Sequence, residues 1–112
     1  MRMKKNSYWI GLRCGYKVVR VAQEEILYFE RNLRKTIVHM KSGELLETAE
    51  KLSGLLERLN PQEFVRCHNS YIVNLKEVEE IQGKEICMKQ GLRLNISRAY
   101  LSDVKKSFTG IE

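Results

Sequence analysis

Short segments constrain this chain more than any other feature. Apolar or alternating runs last roughly four to six residues before Gly, Asn, Ser or a charged pair interrupts them. That rhythm excludes long helices and favours short strands joined by tight turns. Tyr8 to Arg13 and Tyr16 to Val21 flank Cys14-Gly15, with Arg13, Lys17 and Arg20 set among apolar neighbours as on a sheet with one wet face. Ile26 to Glu30 reads as a buried strand, Arg31-Asn32-Leu33-Arg34 as a basic turn, and Lys35 to Met40 as the next strand. Lys41-Ser42-Gly43 turns the chain into Glu44 to Glu47. Phe64 to His68 and Tyr71 to Asn74 flank Asn69-Ser70, and Val78 to Gln82 and Glu85 to Lys89 flank Gly83-Lys84. Gln90-Gly91 leads to the alternating run Leu92 to Ile96. The expected total is about ten strands.

Two segments break the pattern. Leu52, Leu55, Leu56 and Leu59 lie at i, i+3, i+4 and i+7, the stripe of an amphipathic helix. Thr48 is the expected cap of a helix over about 49–59, and Asn60 with Pro61, the single proline, ends it. Ser97 is the expected cap of a second helix over about 98–108, with Leu101, Val104 and Phe108 inward. The sequence shows no repeat, low-complexity tract or linker. The expectation is one mainly β domain over 1–112, core about 8–108, with small antiparallel sheets and two short helices.

The chain is 43% hydrophobic, enough for a core, and carries a net charge of +6. A basic balance on a small domain indicates a polyanionic partner, nucleic acid before an acidic membrane surface. No apolar run reaches the roughly 18 residues of a membrane span. Behind the charged Met1 to Ser7, the run Tyr8 to Arg13 is too short and polar for a signal peptide. Cys14, Cys67 and Cys87 are odd in number and widely spaced, which argues against disulfides or a zinc site and for reduced thiols in a cytoplasmic protein.

Catalysis finds little support. Cys67 and His68 are adjacent, but neighbours on a strand face opposite ways. His39, the other histidine, has no obvious orienting acid, and there is no Gly-rich phosphate loop. The expectation is no catalytic residue, metal or cofactor, with Cys67 a small strand residue and a redox role left open. An RNA-binding or protein-interaction module is the alternative reading of the basic surface. Scattered aromatics disfavour the RNA form of it.

Three polar clusters remain. Phe64 to Asn74 sets Arg66, His68, Asn69 and Ser70 between apolar runs. Asn69 there suits an adenine edge, and Arg66 and Ser70 suit phosphates, although Asn69-Ser70 by itself reads first as a plain turn. Arg98 at the first position of the second helix opposes the helix dipole, a misfit that suits a guanine contact or an idle surface cation. Arg31 to Lys35 is a basic turn, of the kind that is usually solvated.

Together these segments resemble the LytTR DNA-binding domain family over roughly residues 8–108. The resemblance rests on Ile26-Leu27-Tyr28-Phe29-Glu30, Leu52-x-x-Leu55-Leu56, Phe64-Val65-Arg66-Cys67-His68-Asn69-Ser70-Tyr71-Ile72-Val73-Asn74 and Leu94-Asn95-Ile96-Ser97-Arg98-Ala99-Tyr100, in that order. It implies an elongated domain that inserts loops into successive major grooves of duplex DNA. It implies the output half of a bacterial two-component response regulator, binding promoter repeats with a second copy on the DNA. Base contacts would fall on Asn69, Arg98 and Arg34, and backbone contacts on Lys35, Arg66, His68 and Ser70. The family's phosphoacceptor receiver is not expected within this sequence. Its one aspartate, Asp103, lies in the last predicted helix. That fits a stand-alone regulator or an excised domain.

Overall fold

The computed structural model describes residues 8–110. The sequence reading of Met1 to Ser7 lies outside them. In order, the elements are β1 (Trp9–Cys14), β2 (Lys17–Ala22), β3 (Ile26–Asn32), β4 (Lys35–Met40), β5 (Leu45–Thr48), α1 (Leu52–Leu56), β6 (Phe64–His68), β7 (Tyr71–Asn74), β8 (Val78–Gln82), β9 (Glu85–Met88), β10 (Arg93–Asn95) and α2 (Arg98–Thr109). Single 3-10 turns at Gln23–Glu25 and Leu75–Glu77 precede β3 and β8.

The strands form three antiparallel sheets: β1-β2, β5-β4-β3-β7-β6 and β10-β9-β8. The five-stranded sheet is the middle layer, and successive residues of its central strands serve opposite cores. Phe29 and Ile72 join Ile10, Leu12, Leu52, Leu55 and Phe64 under the β1-β2 hairpin and α1. Tyr28 and Val73 join Cys67, Ile86, Met88, Leu94 and Val104 under the three-stranded sheet and α2. The described residues form a flat slab, 42 × 40 × 24 Å, rather than the elongated body that the resemblance implies.

The first helix differs from expectation at both ends. Thr48 pairs with Thr36 as the last residue of β5, and its hydroxyl accepts from the Glu50 amide two residues on, so it caps no helix. Helical geometry starts at Leu52, after Lys51, and Gly54 weakens the interior. Beyond Leu56 the chain tightens into i→i−3 bonds, Arg58 to Leu55 and Leu59 to Leu56. The leucine stripe still does its expected work: Leu52, Leu55 and Leu59 are buried. Arg31 and Asn32, expected in a turn, are the last residues of β3; the turn itself is Leu33-Arg34.

The structure also reveals a repeat that the sequence hides. Each half runs hairpin, 3-10 turn, bulged hairpin, third strand, helix. The bulges fall at Ile26/Tyr28 and Val78/Glu80. The Lys41 amide donates to the Glu25 carbonyl at 2.8 Å, and Lys89 donates to Glu77 at 2.9 Å. Gly43 donates to Met40, and Gly91 to Met88, both at 2.9 Å. Pairing of β3 with β7 joins the two halves edge to edge. The second hairpin is shorter, five and four residues against seven and six, which removes any fixed sequence period.

Candidate nucleic-acid interface

Antiparallel pairing brings three segments to one end of the middle sheet. β3 ends where β7 begins, Glu30 opposite Tyr71, so the β3-β4 tip and the β6-β7 tip are neighbours. Their centres are two strand spacings apart, roughly 10 Å. The Arg31 amide donates to the Ser70 carbonyl at 2.8 Å and ties the tips together. Beyond β6 lies α2, whose first turn is fixed by the Ser97 amide donating to the Cys67 carbonyl at 2.9 Å.

The Asn69 turn is braced from within. Arg66 donates from Nε to the His68 carbonyl at 3.0 Å and from Nη2 to the Asn69 carbonyl at 2.8 Å. His68 Nδ1 accepts from the Ser70 amide at 3.0 Å, which puts the proton of a neutral ring on Nε2. The His68 ring rests against Tyr71, centroids 5.1 Å apart. With its backbone held, the exposed Asn69 side chain has one contact, Oδ1 accepting from the Tyr100 hydroxyl at 3.5 Å. That bond is long and easily exchanged. Tyr100 also stands 6.0 Å from the Arg66 guanidinium, so it packs α2 against the turn.

Arg98 is exposed at the first position of α2, after Ser97, whose hydroxyl makes no cap. Arg34 is exposed at the tip of the β3-β4 hairpin. Lys35 beside it is paired with Glu47 at 3.4 Å, both half-exposed, a contact of small worth in water. The structure therefore gathers Arg34, Lys35, Arg66, His68, Asn69, Ser70 and Arg98 at one end of the molecule.

Sequence reasoning missed two contributors. The sequence pattern groups Arg31 with a solvated turn, yet its Nη1 donates to Thr36 Oγ1 and to the carbonyls of Ala49 and Glu50 at 3.0, 3.3 and 3.0 Å, anchoring the hairpin base. Its place inside β3 is the missing signal. Tyr100 had no assigned role, and only its position one turn into a helix beside Asn69 gives it one. Asn74 is buried, its Nδ2 donating to the Ile26 carbonyl at 2.9 Å and its Oδ1 accepting from Lys76 at 3.0 Å.

Cys67 lies fully buried in the second core, and burial pushes its thiol up to about 12. That is the reverse of an activated nucleophile. No helix among the described residues is long and apolar enough to cross a membrane.

The family model of the LytTr DNA-binding domain matches residues 16–109. The transcriptional regulatory protein LytR of Staphylococcus aureus is 29% identical over 96 residues, 81% of this chain and 39% of that protein. The sensory transduction protein LytT of Bacillus subtilis is 27% identical over 103 residues, 87% of this chain and 42% of its own length. This chain thus spans about two fifths of those relatives. A solved LytTr DNA-binding domain from Bacillus cereus superposes with a TM-score of 0.75 over 89% of this chain and 95% of that one, at 24% identity, and so shares the fold. On the span matched by the family model, this chain belongs to the LytTr DNA-binding domain family.

Proposed function

We propose that this chain reads a specific duplex DNA sequence by placing the β3-β4 tip, the Asn69 turn and the start of α2 in the major groove, as the DNA-binding part of a transcription regulator. One observation carries the reading: the three segments share one end of one sheet, with the two tips roughly 10 Å apart, close to the width of the groove, about 12 Å. Asn69 and Arg98 present the side chains that pair bidentately with adenine and guanine, and Arg34 a second guanine reader. Lys35, Arg66, His68 and Ser70 flank them as phosphate contacts. Arg66 keeps three of its five N–H groups for that task after bracing the turn.

The relatives named as a transcriptional regulatory protein and a sensory transduction protein support a role in transcription, in a two-component system. In this reading a second copy of the chain binds an adjacent promoter repeat. The test is selection from a randomised duplex pool at about 0.15 M salt, followed by competition with single-stranded DNA and RNA. An enriched motif, recovered singly or as a spaced repeat, is the expected result. Binding that enriches nothing and vanishes as salt rises would reduce the interaction to net charge.

A further inference from the structure

Four hairpins close on two-residue turns; Asn69-Ser70 has no positive φ, and the other three, Gly15-Tyr16, Leu33-Arg34 and Gly83-Lys84, share another geometry. In each of these three the first turn residue has a positive φ, 67°, 60° and 60° in that order, and the second is not among the positive-φ residues. That is the type II′ signature, which demands glycine at the first position because a Cβ there is crowded. Two of the turns obey. The third places a leucine there, the one non-glycine residue with positive φ among the described residues. The topological repeat sharpens the contrast, since Gly83 holds the place in the second half that Leu33 holds in the first.

Nothing inside the fold repays the strain. The Leu33 side chain is 90% exposed and reaches neither core. A residue held against its backbone preference, with no gain in packing, points to a contact outside the molecule. Its setting narrows that contact. Leu33 is the apex of a tip whose next residues are Arg34 and Lys35, beside the Asn69 turn. An apolar apex with cationic shoulders fits the edge of a thymine, where the phosphates take the cations and the C5-methyl takes the isobutyl group.

We propose that Leu33 is a specificity-determining residue that packs on the C5-methyl of a thymine in the major groove. The inference rests on the duplex-DNA reading above and adds one base preference to it. It is tested on a duplex selected by the wild-type chain, with each thymine in turn replaced by deoxyuridine, which removes the methyl alone. One replacement should weaken wild-type binding roughly three- to fivefold, the scale of one buried methyl. Leu33→Gly suits the turn and removes the side chain. It should keep its Tm, bind the thymine duplex more weakly by the same factor, and ignore that replacement. Leu33→Asn, which tolerates positive φ, should behave alike. If the glycine variant matches the wild type at every position, the Leu33 inference falls and the duplex reading stands. If the wild type selects no motif, both fall. Unchanged DNA readout with lost self-association in sedimentation would reassign Leu33 to a protein contact and overturn the proposal.

Discussion

The amide of Ser97 donates to the carbonyl of Cys67 at 2.9 Å, so the first turn of α2 hangs from the strand that carries the Asn69 turn. Asn69 and Arg98 come from segments 29 residues apart, counted from their numbers, yet they are held on one support. Each is exposed and makes little use of its side chain within the fold. Asn69→Ala and Arg98→Ala should each cost about 1 to 3 kcal/mol on the selected duplex and little on random DNA. Neither should shift the Tm beyond what a surface change does. Equal losses on both kinds of DNA, measured by titration at fixed salt, would demote them to phosphate contacts.

Arg66 separates charge from geometry. It clamps the turn with two hydrogen bonds from a planar fork, which an ammonium does not reproduce. Arg66→Lys should therefore keep the salt dependence of binding and lose part of the preference for the selected duplex. A variant that binds both duplexes as the wild type does would show that the clamp is idle.

Lys35 is paired with Glu47, a pair that would exchange for a phosphate under the proposed reading. Lys35→Ala should lower affinity on every sequence and flatten the plot of log affinity against log salt by about one unit. Glu47→Gln frees the ammonium and removes a negative charge near the DNA, so it should raise affinity on every sequence. The salt series checks both variants. No change in slope for Lys35→Ala would remove that residue from the contact.

The legible parts of the fold were those set by local pattern. Alternation placed ten strands because each half-buried strand needs period two, and the leucine stripe placed α1 because its face is buried whatever its length. The start of α1 departs from the sequence pattern because Thr48 satisfies a strand partner and a local turn before it can serve a helix. The duplication was invisible because hairpins of different length carry the same hydrogen bonds. The proposed site residues are legible as types in a familiar order. The part played by Tyr100 is not, since it depends on α2 crossing β6, a contact with no local trace.

Leu55 tests the core directly. It is fully buried, packed with Phe29, Phe64 and Ile72 on the first face of the middle sheet. Leu55→Ala should cost about 2 to 5 kcal/mol, read as a lower denaturant midpoint with an unchanged m-value. A normal midpoint would show that α1 does not seal this core.

Cys67 gives the domain an alkaline limit. Burial lifts its thiol from 9.0 to about 12, with smaller opposing effects from a backbone hydrogen bond and from Arg66. The folded state thus keeps a proton that the unfolded chain releases near 9.0. The resulting contribution to stability is complete below pH 9 and is lost as pH rises from there through 12. Tyr28, lifted from 10.0 to about 12 mainly by burial and then by Glu30 and Tyr71, acts in the same direction. Wild-type stability should therefore fall between pH 9 and 11, and Cys67→Ala, less stable at pH 7, should fall less steeply over that interval. The same burial should keep Cys67 unlabelled by thiol reagents in the native protein, while the half-buried Cys14 and Cys87 react first. Labelling of native Cys67 at the rate of the other two, together with parallel pH profiles, would mean that the second core is open to water at β6.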